Sequence, residues 1–261
     1  MKTSLLTSIY RKNTSEELNR CFDSIKNQAH IPDEIILIID GPIEEIFFLD
    51  IKNWCKVLPM KTYSLNKNMG LAYVLNYGMK LCTNDWVFRM DIDDVCAKDR
   101  FKKQIDFINL NPEIDILGGN ILCFESFPNF FSGRNVPSAP NEIKRFMKFR
   151  NPVNHPSVFF NRNRILDIGG YPNARLGQDY LLWINAMVKG LKIVNSKEVL
   201  VYMQVDKNSH SRRGLRNLKY DTRPYFLMYK NNITNIFELL IGLSIRFIYC
   251  TFSSLKSKIN L

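Results

Sequence analysis

Short apolar runs alternate with amphipathic segments along the first half of the chain. Residues 4–10 are mostly apolar and predict a strand, and residues 18–25 place apolar side chains at three- and four-residue steps, which predicts a helix. Residues 35–39 are all apolar and end at Asp40-Gly41-Pro42, a pattern typical of a strand buried in a parallel sheet. A strand, a helix and a second strand in this order imply a right-handed crossover. We therefore expect an α/β fold with a Rossmann-like, mostly parallel central sheet flanked by helices.

The same patterns predict further elements along the chain. We expect strands at residues 63–65, 86–88 and 158–160 and from about residue 114, helices at residues 68–80, 98–110 and 178–189, and a surface loop at residues 128–140. Open parallel sheets bind ligands beyond the carboxyl ends of their strands, where Tyr10, Asp40 and Asp91 would lie. We expect the functional site at this edge of the sheet.

Three carboxylates follow the predicted strand at residues 86–88, namely Asp91, Asp93 and Asp94. Acids this close repel one another unless a cation lies between them, and oxygen ligands favour a hard divalent ion such as Mn²⁺ or Mg²⁺ over zinc. The alternative is a solvated acidic turn before the helix at residues 98–110, with one acid near the helix N-terminus. The short motif by itself leaves both interpretations open.

Composition restricts the class of protein. With 261 residues, 46% of them hydrophobic, the chain can bury a full core, and its six cysteines have no paired spacing, which indicates free thiols. Its first ten residues lack the features of an export signal, so we expect a cytoplasmic protein. The net charge of +11 is accompanied by no nucleic-acid recognition motif, so no nucleic-acid partner is expected.

The positive charge is concentrated near the C-terminus. Residues 201–261 contain ten Lys or Arg and three Asp or Glu, and residues 233–252 are strongly apolar apart from Glu238 and Arg246. Two charges argue against a helix that spans a bilayer. The segment is either a helix at a membrane interface, with its basic end near anionic headgroups, or an amphipathic helix docked on the rest of the protein. We expect a domain at residues 1–215 and a basic, helical, membrane-associating extension at residues 216–261.

Several short motifs follow one another between residues 3 and 215. They are Asn68-x-Gly70-Leu71 with Asn76-x-Gly78, Arg89-Met90-Asp91-x-Asp93-Asp94, Asn154-His155-Pro156, Gly169-Gly170-Tyr171 and Asp179-Tyr180-x-x-Trp183. In this order they resemble the inverting family 2 glycosyltransferases with the GT-A fold, particularly the bacterial enzymes that build O-antigen and capsule repeat units. The resemblance favours a metal at the acidic cluster.

The resemblance implies a nucleotide pocket. Ser8, Tyr10 and Asp40 would line the uridine site, although the family more often has Asp-Asp-Gly-Ser where this chain has Asp40-Gly41-Pro42. Asp91 would contact the ribose, and Arg212 would add a contact to the phosphates.

The resemblance also implies a metal site and a donor-sugar site. Asp93 would coordinate the Mn²⁺ or Mg²⁺ ion that bridges the two phosphates, and His210 would be a late ligand of the metal or the diphosphate. Asp94 would shape the donor-sugar side.

The general base implied by the resemblance is Asp179, whose alternative is an ordinary acid in the first turn of a helix. Gln178 stands where the family usually has Glu, which removes a second carboxylate beside the acceptor. His155 is either a contact to a sugar or a structural histidine.

The reaction implied by the resemblance is the transfer of galactose or glucose from a UDP-sugar to a sugar on undecaprenyl diphosphate, with inversion. The product would be a β-linkage, of which β1,3 to GalNAc or GlcNAc is one form, and the enzyme would lie peripherally on the cytoplasmic face of the bacterial inner membrane. The alternatives are a dTDP-rhamnose transferase, a non-catalytic nucleotide-sugar-binding module, and a nucleotidyltransferase. The last would normally bring a Gly-rich loop near the N-terminus, whereas Tyr10-Arg11-Lys12-Asn13 has no glycine.

Overall fold

The computed structural model describes residues 1–205 and 217–259, which form one mixed sheet between two layers of helices. The strands are β1 (Thr3–Ile9), β2 (Glu34–Ile39), β3 (Met60–Ser64), β4 (Trp86–Arg89), β5 (Val95–Cys96), β6 (Ile116–Ser126), β7 (Asn129–Arg134), β8 (Phe159–Asn161) and β9 (Ile193–Gln204). Within the described residues they pair in the order β3-β2-β1-β4-β8-β6-β9-β5, and β7 pairs with β6. The predicted α/β class is confirmed.

Nine α-helices fall within the described ranges. They are α1 (Ser15–Lys26), α2 (Glu45–Trp54), α3 (Leu71–Leu81), α4 (Arg100–Leu110), α5 (Pro140–Met147), α6 (Arg162–Asp167), α7 (Gln178–Val188), α8 (Leu218–Lys230) and α9 (Ile236–Ile259). Thr14 caps α1: its side chain accepts a hydrogen bond from the backbone of Glu17, whose side chain accepts from the backbone of Thr14.

The two faces of the sheet bury separate cores because successive strand residues point to opposite sides. One core contains Leu6, Ile36 and Ile38 with side chains of α3 and α7, and the other contains Leu5, Ile35 and Leu37 with side chains of α1, α2 and α4. On the first face Gly78 lets α3 approach closely, since a Cβ there would lie 2.3 Å from Leu6 Cδ1. Every residue of β2 is buried, as the apolar run at residues 35–39 predicts for all of them except Glu34.

Strands β1 to β4 form the parallel half of the sheet. β1 lies between β2 and β4, and Ile9 is in register with Ile39, so the carboxyl ends of these strands meet at one edge. Beyond β4 the sheet is mixed, because β8 runs antiparallel to β4 and β6 while β9 is parallel to β6. The parallel half therefore brings together the side chains that follow β1, β2 and β4.

The predicted surface loop at residues 128–140 is wrong in part. Residues 129–134 form β7, which pairs antiparallel with β6, although its side chains are largely exposed as a surface segment requires. The backbone pairing holds this strand without a buried side-chain face.

The helix α9 turns its charged side toward the protein. The Nζ of Lys148 lies 2.5 Å from Glu238 Oε1, and Arg246 Nη2 lies 3.0 Å from Asp221 Oδ1. Gly242 packs against the ring of Tyr225, which lies in the same core as α3 and α7. The opposite side exposes a row of large apolar side chains: Phe237, Leu240, Ile241, Ile245, Phe247, Ile248 and Phe252.

By length and composition alone, Ile236–Ser254 could cross a membrane, and it is the one such helix among the described residues. The ion pairs nevertheless engage both charges that interrupt its apolar sequence. The predicted C-terminal apolar helix is therefore present, and the predicted boundary near residue 215 lies outside the described residues.

Candidate functional site

The carboxyl ends of the parallel strands gather most of the predicted nucleotide-site residues. Ser8 lies near the end of β1 and is half-buried, and Tyr10 follows β1 and is exposed. Asp40 follows β2, and its backbone N–H donates to the carbonyl of Ile9 at 2.8 Å. Asp91 follows β4, the other neighbour of β1. The structure thus brings Tyr10, Asp40 and Asp91 to one edge, as predicted, with Ser8 near the same end of β1.

The carboxylate of Asp40 is engaged by the chain itself. Its oxygens accept hydrogen bonds from Asn68 Nδ2 at 2.9 Å, from the backbone N–H of Met69 at 2.6 Å and from that of Gly70 at 3.1 Å. Gly70 directly precedes α3, so this acid satisfies free donors at the start of that helix. Asp40 therefore fixes one wall of the site, a role that the sequence did not indicate.

Asp91, Asp93 and Asp94 form a compact acidic cluster, in which one carboxylate oxygen of each lies within 4.8 Å of the others. Asp94 is 1% exposed, and its Oδ1 accepts a hydrogen bond from the backbone N–H of Gln204 at 2.9 Å. Its buried Oδ2 has no hydrogen-bond partner in the part of the chain that the structure describes. Since Asp94 is buried and α4 begins only at Arg100, the alternative of a solvated turn that caps this helix is wrong.

Crowding shifts the pKa values of these acids. Burial and the negative charge of Asp91 raise the pKa of Asp93 to about 7. Burial, followed by the charges of Asp93 and Asp91, raises the pKa of Asp94 well above its ordinary value. Near neutral pH the pair therefore favours a bound proton or a bound cation. With oxygen-only donors and the free Oδ2 of Asp94, these residues fit a hard divalent ion such as Mn²⁺ or Mg²⁺.

Asp91 differs from the other two acids because Arg89 pairs with it. The buried guanidinium of Arg89 donates Nη1–H to Asp91 Oδ2 at 2.5 Å and Nη2–H to Asp91 Oδ1. Burial acts to lower the pKa of Arg89, but the charge of Asp91, its hydrogen bonds to Arg89 and the other nearby negative groups together raise the pKa overall. The pair fixes the orientation of Asp91 and leaves Asp93 and Asp94 as the carboxylates without a paired cation among the described residues.

A second buried arginine, Arg100, holds the backbone next to the cluster. Arg100 Nη2 donates to the backbone oxygens of Arg89 at 2.8 Å and Pro156 at 2.9 Å. Gln104 Nε2, one turn later on α4, donates to the backbone oxygen of Ser157 at 3.0 Å. These bonds join the end of β4 to the predicted Asn154-His155-Pro156 motif.

Two further residues at the cluster were not identified from the sequence. Arg20 of α1 donates Nη2–H to the backbone oxygen of Asp93 at 3.1 Å and also to Gln204 Oε1. Gln204 ends β9, and its Nε2 donates to Glu17 Oε1 at 2.9 Å. No local pattern connects α1 or β9 with the acidic motif, so only the fold places them together.

Asp179, the predicted general base, is held by residues outside the acidic cluster. It lies in the first turn of α7 after Gly177, whose φ is +69°, and is half-buried with Gln178. Its Oδ2 accepts a hydrogen bond from Asn151 Nδ2 at 2.7 Å. A side chain from outside α7 thus orients this carboxylate.

The buried hydroxyl of Tyr171 is influenced by the charges of both the acidic cluster and Asp179. Burial raises the pKa of Tyr171, the positive charge of Arg89 opposes this rise, and the negative charges of Asp179 and Asp91 add to it. Asn76 holds the residue in place, donating from Nδ2 to the backbone oxygen of Tyr171 and accepting from its N–H, both at 2.8 Å.

His155 is a buried partner of this tyrosine. Its Nε2 lies 2.9 Å from the hydroxyl of Tyr171, and its ring lies against Trp183. Burial and the charge of Arg89 lower the pKa of His155 well below its ordinary value, so the ring is neutral. Of the two interpretations offered by the sequence, these contacts favour the structural one. The predicted His210 and Arg212 lie outside the described residues.

Comparison with known families and proteins is consistent with this geometry. Glycosyl transferase family 2 matches residues 4–168 of the chain. An uncharacterized glycosyltransferase of Haemophilus influenzae is 37% identical over 249 residues, covering 95% of this chain and 92% of the relative. A UDP-Gal:alpha-D-GlcNAc-diphosphoundecaprenol beta-1,3-galactosyltransferase of Escherichia coli is 34% identical over 249 residues, or 94% of this chain and 90% of the relative.

A third relative is the amylovoran biosynthesis glycosyltransferase AmsE of Erwinia amylovora, 33% identical over 225 residues, or 86% of this chain and 84% of that protein. Among solved structures, the S. aureus TarS fragment 1–349 in complex with UDP-GlcNAc superposes with a TM-score of 0.72 at 16% identity, over 96% of this chain and 74% of that one. This likeness confirms the predicted GT-A fold.

Proposed function

Because the chain belongs to glycosyl transferase family 2, we propose that it transfers galactose or glucose from a UDP-sugar to a sugar carried on undecaprenyl diphosphate. The product would be a β-linked repeat unit of O-antigen or capsule, with β1,3 to GlcNAc or GalNAc as the expected linkage. The observation that carries the substrate assignment is the 34% identity, over most of both chains, to the E. coli enzyme whose name specifies UDP-Gal and GlcNAc-diphosphoundecaprenol.

We assign the donor nucleotide to the edge formed by Ser8, Tyr10, Asp40 and Asp91. Asp40 supports the assignment indirectly, since it holds the backbone of Met69 and Gly70 at the carboxyl end of β2. Asp91, oriented by Arg89, would accept a hydrogen bond from the ribose. Arg212 remains proposed as a contact to the phosphates.

Asp93 and Asp94 would hold a Mn²⁺ or Mg²⁺ ion, with His210 as a further proposed ligand. When bound, such an ion supplies Lewis-acid stabilisation of the charge that grows on the leaving diphosphate. The protein's own contribution is a rigid support: Arg100 and Arg20 hold the backbone of Arg89 and Asp93. Asp94 would also shape the donor-sugar side of the pocket.

We assign the general base to Asp179. Its carboxylate would take the proton of the acceptor hydroxyl as that oxygen bonds to the anomeric carbon, while the bond from that carbon to UDP breaks on the opposite face. UDP leaves with the bonding electron pair, and the configuration inverts. Asn151 would keep the carboxylate directed to the acceptor through its 2.7 Å hydrogen bond. Gln178 would contact the acceptor sugar, and His155 would position Tyr171.

The membrane part of the proposal is supported by α9. Its charged side chains pair with Lys148 and Asp221, while apolar side chains such as Phe237 and Phe252 face outward. A helix with this polarity suits the interface of a bilayer, where it would keep a cytoplasmic enzyme close to its lipid-linked acceptor.

The test is a panel of UDP- and dTDP-sugars offered with an N-acetylhexosamine-diphosphate-lipid acceptor, in Mn²⁺ or EDTA. We expect one UDP-hexose to give product, EDTA to abolish the reaction, and the anomeric coupling constant of the new linkage in NMR to report the β configuration. Product from dTDP-rhamnose alone, formed equally in EDTA, would replace the proposal with the rhamnosyl alternative. Absence of product from every donor, with UDP still bound, would favour a binding module.

A further inference from the structure

A groove of about 400 Å³ runs between α7 and α8, outside the acidic cluster. It is lined by Pro172, Leu181, Asn185, Arg223, Phe226, Leu227 and Lys230. Its floor is mainly apolar, and Phe226 is 53% exposed at its side. An apolar groove of this kind favours a ligand with a hydrocarbon part.

Two cations accompany this apolar lining. Arg223 and Lys230 are seven residues apart on α8 and therefore share one face of the helix, away from the face on which Asp221 and Tyr225 meet α9. Arg223 lies over the ring of Tyr220 at 5.5 Å, and neither cation forms an ion pair with any described residue. The charge complementarity thus favours a ligand that joins an anionic group to an apolar chain.

Part of the groove lining is close in sequence to the proposed catalytic residues, although Leu181 and Asp179 lie on different faces of α7. Pro172 directly follows Tyr171, and Leu181 is two residues beyond Asp179 on α7. Asn185 is six residues beyond Asp179, which corresponds to about 9 Å along the helix axis. This distance is of the order spanned by one hexose and its diphosphate.

We propose that this groove binds the diphosphate and the first isoprene units of the acceptor, with Arg223 and Lys230 contacting the phosphate oxygens. The inference rests on the proposed function, because it needs an acceptor whose sugar reaches Asp179. It adds a binding site separate from the donor site, with Leu181, Phe226 and Leu227 contacting the lipid. The acceptor would then be recognised by its carrier as well as by its sugar.

The experiment measures equilibrium binding of an N-acetylhexosamine diphosphate with a short polyprenyl chain to the full-length protein by calorimetry. The variants are Arg223→Gln with Lys230→Gln, and, as a control with the same loss of charge on exposed sites, Lys26→Gln with Lys52→Gln. We expect the first pair to raise Kd about tenfold or more, since charge-assisted hydrogen bonds to phosphate are strong. The control pair and the affinity of both variants for UDP should be unchanged.

A separate variant tests the lipid contact. Phe226→Ser should weaken binding of the polyprenyl probe and leave unchanged the binding of the same sugar diphosphate without a lipid. The proposed binding site would be overturned if wild type and the Arg223/Lys230 variant bound the polyprenyl probe with equal affinity, or if wild type did not bind it. If the probe binds through Arg223 and Lys230 but wild type transfers no sugar to it, the groove stands and the proposed reaction fails.

Discussion

At the scale of single residues, the three acids of the cluster are not equivalent. Arg89 compensates Asp91, whereas Asp94 is buried with one oxygen unpartnered among the described residues. A charge held in this way destabilises the protein unless a cation binds beside it. Without a cation the cluster thus lowers the stability of the fold, and a bound cation would restore it.

Asp94→Asn tests this trade-off. In EDTA near neutral pH we expect the free energy of unfolding of the variant to exceed that of wild type by about 1–2 kcal/mol, since wild type must either keep buried like charges a few ångströms apart or take up a proton to avoid them. Asn keeps an oxygen for the backbone N–H of Gln204. Added Mn²⁺ should raise the melting temperature of wild type only. An equal Mn²⁺-dependent shift in both proteins would place the cation elsewhere.

His155 predicts a pH dependence of stability. Its folded pKa lies below its ordinary value, so below about pH 6.5 the unfolded state binds a proton that the folded state does not. Its contribution to stability is therefore present above pH 6.5 and is lost as the pH falls toward the folded pKa.

From pH 6.5 to 5.5, wild type should lose about 1 kcal/mol more than His155→Gln, as measured by urea unfolding. Asp93 and Asp94 act in the opposite direction, because their raised pKa values favour the folded state as the pH falls. Both proteins contain these acids, so their contribution cancels when one pH profile is subtracted from the other. Parallel pH profiles of the two proteins would show that His155 titrates normally.

Some of these residue-level features could be predicted from the sequence. The clustered acids were visible in the sequence, but no pattern identified Arg89 as the partner of Asp91. The position of Gln204 could not be predicted, since it lies 110 residues from Asp94 and reaches it only through the pairing of β9.

At the scale of secondary-structure elements, apolar patterning predicts the buried strands and fails for the others. Residues 35–39 of β2 are all apolar and buried, whereas β7 is exposed and shows no alternation. β9 is interrupted by Asn195 and the polar residues 196–198. Such strands are held by backbone pairing and by contacts distant in sequence, which a local pattern does not contain.

Asp40 connects the start of α3 to the carboxyl end of β2, where the candidate site lies. Asp40→Ala should lower the free energy of unfolding by about 2–3 kcal/mol, because the N–H groups of Met69 and Gly70 would lose a buried acceptor. The exposed Asp23→Ala on α1 is the control and should change it by less than about 0.5 kcal/mol. Chemical denaturation measures both. A stable Asp40→Ala protein that no longer binds UDP would instead favour a direct contact to the nucleotide.

At the scale of the whole molecule, the direction in which α9 faces was not evident from its composition. The sequence predicts an apolar helix interrupted by two charges and leaves open whether it docks on the protein or on a membrane. The structure shows the charged side docked and the apolar side exposed. The docked interpretation therefore holds for the charged side of α9, and the exposed apolar side is the one that a membrane would contact under the proposed function.

Membrane association can be tested without removing α9, whose Leu239 and Cys250 are buried. Ile241→Ser, Ile245→Ser and Ile248→Ser together change exposed positions on its apolar side. We expect this triple variant to lose cosedimentation with vesicles of phosphatidylglycerol and phosphatidylethanolamine, because apolar burial drives interfacial binding. The matched control is Ile46→Ser, Leu49→Ser and Val57→Ser, three exposed apolar positions in and near α2. Equal sedimentation of both variants would exclude α9 as the membrane contact.

The most direct test of glycosyl transfer at this site compares wild type with Asp179→Asn, using the exposed Asp167→Asn as a control. The assay follows sugar transfer from the active UDP-hexose to the lipid-linked acceptor, and calorimetry follows UDP binding. We predict that Asp179→Asn lowers kcat by about 10²–10⁴-fold while UDP binding stays unchanged, because the base is lost and the nucleotide edge is intact. Turnover of Asp179→Asn within about threefold of both other proteins would contradict the assignment of Asp179 as the base and, with it, the proposed mechanism.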